Sequence, residues 1–114
     1  MIQIQVVPRE GVDAYVLLRA KVLHDAATWR WSDRAKTKLR HIQSEGHLAV
    51  SHAGGVVIAR VVPKSGRDLF YLAEKFTGRL VAWFEDELAA INVQLYTVEK
   101  KPKRRRRATR RRRR

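Results

Sequence analysis

The sequence contains no cysteine, which excludes disulfide bonds and thiolate metal sites and leaves an apolar core to hold the fold together. No stretch approaches the ~18 consecutive apolar residues that span a bilayer. The first ten residues, MIQIQVVPRE, lack the basic start and apolar run of a signal peptide. We therefore expect an intracellular protein without a transmembrane segment.

Familiar catalytic motifs are also missing. There is no H-E-x-x-H, P-loop or G-x-S-x-G motif, and Gly54-Gly55 is too short to form a phosphate loop. His47 and His52 flank a predicted strand, and their spacing of five places them on opposite faces, which argues against shared metal ligation. We expect a non-enzymatic protein with no metal and no cofactor. A small metal-independent nuclease remains an alternative, because such chemistry needs only a few His, Lys or Arg side chains.

Positive charge is concentrated at the C-terminus. The formal net charge is +14, of which residues 99–114 carry +11 and residues 1–98 only +3. We therefore predict a globular domain over 1–98 and a disordered polybasic tail over 99–114, since such a tail cannot bury apolar surface. The cations of the tail are Lys100, Lys101, Lys103, Arg104, Arg105, Arg106, Arg107, Arg110, Arg111, Arg112, Arg113 and Arg114.

This tail predicts a polyanionic partner, and nucleic acid, DNA or RNA, suits it best. The planar guanidinium donates two parallel hydrogen bonds to a phosphate, and each neutralised phosphate releases condensed counterion. The tail has no aromatic side chain, so it can hold a backbone but hardly read bases. A targeting signal and an engineered tag are alternatives. Anionic lipid fits less well, because no Trp, Phe or Leu would anchor the tail in a bilayer interface.

In the body, the sequence pattern predicts the order β, α, α, β, β, α, β. Strands are expected at 2–7 and 93–98, a hairpin at 47–62 turning at Gly54-Gly55, and a long helix beginning near Ser65. The hairpin's second strand, VVIARVV, is apolar enough to be a central strand covered on both faces or nearly so. Merging the first two helices, at 11–27 and 32–45, gives an α+β fold of ferredoxin-like order, with helices on one face of an antiparallel sheet.

The predicted helix at 32–45 supplies a second basic surface. Trp31, Ala35, Leu39 and Ile42 step by four, four and three, which lines one helical face with apolar groups. We expect Trp31 to join the core, whereas Trp29 could serve either the core or base stacking. The predicted secondary nucleic-acid footprint on the opposite faces is Arg34, Lys36, Lys38 and Arg40.

Together these features predict a protein that binds nucleic acid through phosphates with low sequence specificity. It would be cytoplasmic, or nuclear in a eukaryote. The main alternative is a protein–protein or assembly module whose tail is a targeting or packing signal. The strand at 93–98 is expected at a sheet edge, where a second copy could pair to form a homodimer.

Overall fold

The computed structural model describes residues 1–96, and the polybasic tail lies outside this range. Within these residues there are two helices and six strands, and four of the strands lie between the helices in the sequence. They are β1 (Ile2–Pro8), α1 (Ala14–His24), β2 (Trp29–Trp31), β3 (Lys38–His41), β4 (His47–Ala53), β5 (Val56–Val62), α2 (Gly66–Phe84) and β6 (Leu88–Leu95). Within this range no helix is both long and apolar enough to cross a membrane.

All six strands form one antiparallel sheet in the order β2-β3-β4-β5-β1-β6. The predicted hairpin is confirmed, and Gly54 and Gly55 both adopt the positive φ angles of its tight turn. The first strand is also confirmed, with Ile2, Ile4 and Val6 buried on one face. β6 begins at Leu88 rather than at 93 and pairs with β1 at the edge of the sheet.

Both helices cover the same face of the sheet, as expected. Leu18 of α1 and Phe76 of α2 are fully buried against the alternate residues of β1 and β5, such as Ile4 and Val57. Asp13 caps α1 by accepting hydrogen bonds from the backbone N–H groups of Tyr15 and Val16. The predicted long helix is confirmed as α2, which buries one apolar stripe that includes Leu72, Phe76 and Leu80.

The predicted helix at 32–45 is wrong, and with it the merged helical crossover, so the ferredoxin-like order is not confirmed. Residues 29–41 form the hairpin β2–β3, in which Trp29 pairs with His41 and Trp31 with Leu39. Strand alternation buries Trp29 completely and half-buries Trp31, and it sends Arg30 to the other face. Ile42, which helical spacing assigned to an apolar face, is 63% exposed.

Side-chain oxygens and α1 hold this hairpin in place. The Asp33 carboxylate accepts hydrogen bonds from the N–H groups of Thr37 and Lys38, which closes the turn between β2 and β3. An Asp that accepts local N–H groups in this way serves turns and helix starts alike. From α1, the Tyr15 hydroxyl donates to the carbonyl of Lys36 at 3.0 Å.

The loop before β4 is anchored to the start of α2 by Asp68, which is buried. Its carboxylate accepts hydrogen bonds from the Ser44 hydroxyl at 2.8 Å, from Lys64 N at 2.8 Å and from Ser65 N at 3.1 Å. The last of these belongs to a capping box that Ser65 and Asp68 form at the start of α2. The Ser44 hydroxyl is the leading cause of a lowered Asp68 pKa, and the backbone N–H groups add to it.

Candidate nucleic-acid interface

The face of the sheet opposite the helices carries the candidate site. β5 lies inside the sheet, as predicted, but the helices cover only one of its faces. On the other face Ile58 and Val62 are half-buried and Arg60 is exposed, which corrects the prediction of a strand covered on both faces or nearly so. Val57, Ala59 and Val61 are buried under the helices, whereas Arg60 is exposed on the other side. We call this uncovered side the open face.

The charged residues of the strands are all basic, and they lie on one face of the sheet. None of the six strands contains an Asp or Glu residue, although ten acidic residues occur in the first 98. All the Lys and Arg residues in the strands lie on the open face, because each alternates with a residue turned toward the helices. They are Arg30, Lys38, Arg40 and Arg60.

The strand register brings these cations together. Arg30 lies directly opposite Arg40, and the row that pairs Lys38 with Ala49 continues from Ala49 to Arg60. Neighbouring strands are about 4.8 Å apart and alternate residues about 7 Å apart, so the four cations share a patch roughly 16 Å across at its widest, from Arg30 to Arg60. A flexible phosphate backbone could contact several of them at once.

Carboxylates do not neutralise the patch. Within residues 1–96 the salt bridge found is Lys21 to Asp25 on α1, at 3.6 Å, far from the open face. Asp33 lies in the turn that leads into the patch, but its carboxylate accepts hydrogen bonds from Thr37 and Lys38 N–H. The Arg40 guanidinium donates one hydrogen bond, at 3.1 Å, to the backbone carbonyl of Glu45 and not to its carboxylate. The Thr37 hydroxyl bond is the leading cause of a lowered Asp33 pKa. The four cations therefore remain available to an external anion.

His47 lies within the patch. The pairing of Leu39 with Leu48 places His47 beside Arg40 on the open face, where it is half-buried. Burial is the main cause of its lowered pKa, and the positive charges of Arg40, Lys38 and Arg60 lower the pKa further. A bound phosphate would offset that repulsion and favour the protonated imidazole.

The other half of the open face is uncharged, and its side chains are mainly amides, with Val7 and Ala90 at one end. Gln3 and Gln5 of β1 pair with Gln94 and Asn92 of β6, and Asn92 donates a hydrogen bond to Gln5 at 2.8 Å. Apart from His47, no aromatic ring projects from the open-face positions of the six strands described. This agrees with the sequence, where VVIARVV lacks the aromatic residues of an RNA-recognition motif. The open face offers donors for phosphates and no platform for stacking bases.

The four residues of the predicted footprint lie in two different parts of the structure. Lys38 and Arg40 lie on the open face in β3, whereas Arg34 and Lys36 lie in the turn that precedes it. Lys36 adopts a positive φ of 60° and its ammonium group donates back to the carbonyl of Arg34 at 3.2 Å. Arg34 is exposed at the tip of this turn and extends the patch beyond the sheet. The predicted contacts from Lys100 to Arg114 fall outside the described residues.

Sequence reasoning did not assign Arg30, Arg60 or His47 to the footprint. The signal was present as a period of two, because Arg30 separates two tryptophans and Lys38 and Arg40 flank Leu39. His47 and His52 were considered for catalysis, and the structure separates them. His52 stacks on Tyr15 with ring centroids 3.7 Å apart, on the helix side of the sheet. No cluster of three or more His, Cys, Asp or Glu residues suited to a metal ion occurs in residues 1–96.

Comparison of the chain with models of known protein families, with curated proteins and with solved structures found no match.

Proposed function

We propose that this protein binds nucleic acid through its phosphates, with low sequence specificity and without catalysing a reaction. The observation that carries the proposal is the open face, on which four Lys and Arg side chains gather without a carboxylate partner. An exposed sheet can be soluble with uncharged polar groups, as Gln3 and Gln5 of β1 illustrate in the same molecule. The cationic half needs a different explanation, and a polyanionic ligand supplies it.

The tail and the open face would contribute unequally to the affinity for nucleic acid and to its salt dependence. Each phosphate that is neutralised makes the slope of log K against log salt more negative, by about 0.9 on a duplex and by about 0.7 on a single strand. Four cations on the open face therefore account for a slope of roughly −3 to −4. The twelve cations of the tail could account for a slope of up to about −10. The tail would supply most of the affinity, and the open face would fix how the body lies on the backbone.

The test compares two full-length double variants of equal net charge. Arg30→Gln/Arg60→Gln removes two cations from the open face, and Lys64→Gln/Arg67→Gln removes two exposed cations at the start of α2. Binding of a 20-nucleotide single strand and of a duplex is measured across a salt series. We expect the slope of the open-face variant to be less negative than that of wild type by about 1.4–1.8. The slope of the control should change by less than half as much. Equal slopes for the two variants would refute a site on the open face.

A third full-length variant tests the tail. Replacing Arg110–Arg114 with Ser removes five of its cations and should make the duplex slope less negative by about 4.5 if all of them meet phosphates. An unchanged affinity would show that the tail is a passenger with respect to nucleic acid and would favour targeting.

The alternative, a protein–protein module, is favoured by one observation at the opposite edge of the sheet. Val93 and Leu95 of β6 are 54% and 57% exposed, and Phe70 of the adjacent α2 is 64% exposed. They border an apolar groove of about 450 Å³ beside an edge strand with unpaired backbone groups. A second copy is the occupant that fits, because two β6 strands can pair antiparallel about a two-fold axis and each cover the other's groove. Val93→Lys should then convert a dimer to a monomer in light scattering, and a wild type that is monomeric at 100 µM excludes this role.

A further inference from the structure

A second site lies on the other side of the sheet. A cleft of about 590 Å³ opens between α2 and the β2–β3 end of the sheet. Its volume falls within the roughly 300–1,000 Å³ typical of small-molecule sites. Aromatic side chains line both of its walls, in contrast to the open face.

One wall of the cleft is a stripe along α2. Tyr71, Lys75, Arg79 and Trp83 follow one another at intervals of four residues, so they share one side of the helix, and all of them line the cleft. Two cations therefore lie between two aromatic rings. Gly78 also lines the cleft, and a methyl group at its Cα would meet nothing within 4 Å, so the space beside the stripe is open.

The opposite wall presents polar groups that lack partners. His41 is only 7% exposed and its Nδ1 accepts a hydrogen bond from the backbone N–H of Gln43 at 3.1 Å. Burial and the charge of Lys75 lower the His41 pKa, so the ring is neutral near pH 7 and carries its proton on Nε2. That N–H has no hydrogen-bond partner within residues 1–96, and it is not fully buried.

A neighbouring donor is also unsatisfied. Trp29 lines the same wall, its ring 4.8 Å from His41, and its Nε1 is the buried side-chain nitrogen without a partner in the described part of the chain. The Tyr71 hydroxyl donates to the Gln43 side-chain oxygen at 2.8 Å, which leaves the Gln43 amide nitrogen as another donor at the cleft. The Trp29 nitrogen is shielded from solvent, whereas the His41 and Gln43 donors lie at the cleft, where a ligand with acceptor atoms could pair with them.

We propose that this cleft binds a nucleotide with an unpaired base, as occurs in single-stranded nucleic acid. The base would stack on the ring of Trp83 or Tyr71 and accept hydrogen bonds from the His41–Gln43 wall, while Lys75 and Arg79 hold its phosphate. This inference rests on the proposed function and adds what the open face lacks, a place for a base.

The mixed charge of the cleft favours a nucleotide over a simple anion. Asp25 and Glu74 also line it, so the two cations are not the only charges present. A bare phosphate would gain little from such a balanced site, whereas a base can stack and use both donors and acceptors. The site is also continuous with the open face through β2, where Arg30 lies on one side of the sheet and Trp29 on the other. A single strand that passes over this edge could place its phosphates on the open face near Arg30 and a base in the cleft near Trp29.

The experiment uses the full chain and three probes: AMP, adenosine and ribose 5-phosphate. Binding is followed by tryptophan fluorescence and by NMR shifts of the indole N–H and Gln43 amide signals. We expect AMP to bind saturably, adenosine to bind about tenfold more weakly, and ribose 5-phosphate not to bind detectably. Ribose 5-phosphate binding as tightly as AMP, or AMP giving no saturable shifts, would overturn the proposal.

Two variants locate the site. Lys75→Gln/Arg79→Gln changes only exposed side chains and should weaken AMP binding about tenfold while leaving adenosine binding unchanged. The control Lys64→Gln/Arg67→Gln should bind both probes as wild type does. AMP affinity unaffected by the first variant contradicts the assignment of its phosphate.

The open-face variant Arg30→Gln/Arg60→Gln separates the two proposals. It should retain AMP binding even though it loses salt-dependent oligonucleotide affinity. If the variant loses oligonucleotide affinity but AMP binds neither to it nor to wild type, the cleft proposal is wrong and the open-face proposal stands. If it binds oligonucleotides as wild type does while AMP binds in the cleft, the open-face proposal fails alone.

Discussion

Two glycine-to-alanine substitutions should have opposite effects on stability, although the chemical change is the same. At Gly46 an added Cβ would lie 2.6 Å from the carbonyl oxygen of Val62 and 3.1 Å from a carboxylate oxygen of Asp68. Neither can withdraw easily, since Val62 ends β5 and Asp68 ties the loop to α2. Overpacking of this kind costs about 1–3 kcal/mol. At Gly78 the Cβ meets nothing, and replacing a mid-helix glycine should gain about 1 kcal/mol.

Thermal and urea unfolding of both variants provides the measurement. For a body of this size 1 kcal/mol shifts Tm by roughly 4–8 °C, so Gly46→Ala should melt on the order of 10 °C below wild type and Gly78→Ala about 5 °C above it. Gly46 has no positive φ, so the expected loss is due to steric conflict and not to backbone conformation. Equal stability of wild type and Gly46→Ala would refute the close packing of the loop before β4 against the start of α2.

Two further predictions concern titration and the β2–β3 turn. Burial lowers the pKa of His41 and His47 below 6.5, with nearby cations adding to the effect, so the native state binds fewer protons than the unfolded state and stability should fall as the pH drops through 6.5. His47→Gln should lessen that fall in urea unfolding at pH 7 and pH 5, and a variant with the full wild-type loss would contradict the environment assigned to His47. Asp33→Ala removes the acceptor for Thr37 and Lys38 N–H. Amide exchange should then accelerate in residues 30–40 and stay unchanged in β5, whereas uniform acceleration would argue against a local role.

Much of the fold could be predicted because several local signals agree over long segments. In α2, nineteen residues combine a capping box with one continuous apolar stripe, and the β4–β5 hairpin combines two apolar runs with paired glycines. When capping, periodicity and turn chemistry all favour one element, tertiary contacts have little reason to override them.

The segment 29–41 shows why the rest could not be predicted. Its two strands have only three and four residues, too few for a period of two to stand out from a period near 3.6. Intervals of four, four and three in Trp31, Ala35, Leu39 and Ile42 matched a helix by coincidence. The choice is made by pairing with β4, a contact between separate strands that the propensity of residues 29–41 does not contain.

The candidate site was partly predictable for the same reason. Lys38 and Arg40 were assigned to the footprint because of their charge, and that assignment does not depend on the secondary structure. Arg60 could join them only once the register set Lys38, Ala49 and Arg60 in one row across three strands. The cleft depended still more on tertiary structure, since its walls come from α2 and from a hairpin that the sequence did not indicate.

The cationic half of the open face should lower the stability of the protein, and this provides a last test of its role. Arg30 and Arg40 are directly opposite in an antiparallel pair, an arrangement that is destabilising by roughly 0.2–1 kcal/mol. The amides of β1 and β6 show that the same sheet accepts uncharged polar residues on this face. If the cations are present for binding, Arg30→Gln/Arg60→Gln should raise the urea midpoint at low salt, lose that advantage at about 0.5 M salt because of screening, and bind oligonucleotides more weakly. A variant that is less stable than wild type at every salt concentration would show that these arginines support the fold, and their place on the open face would then give no reason to expect nucleic-acid binding.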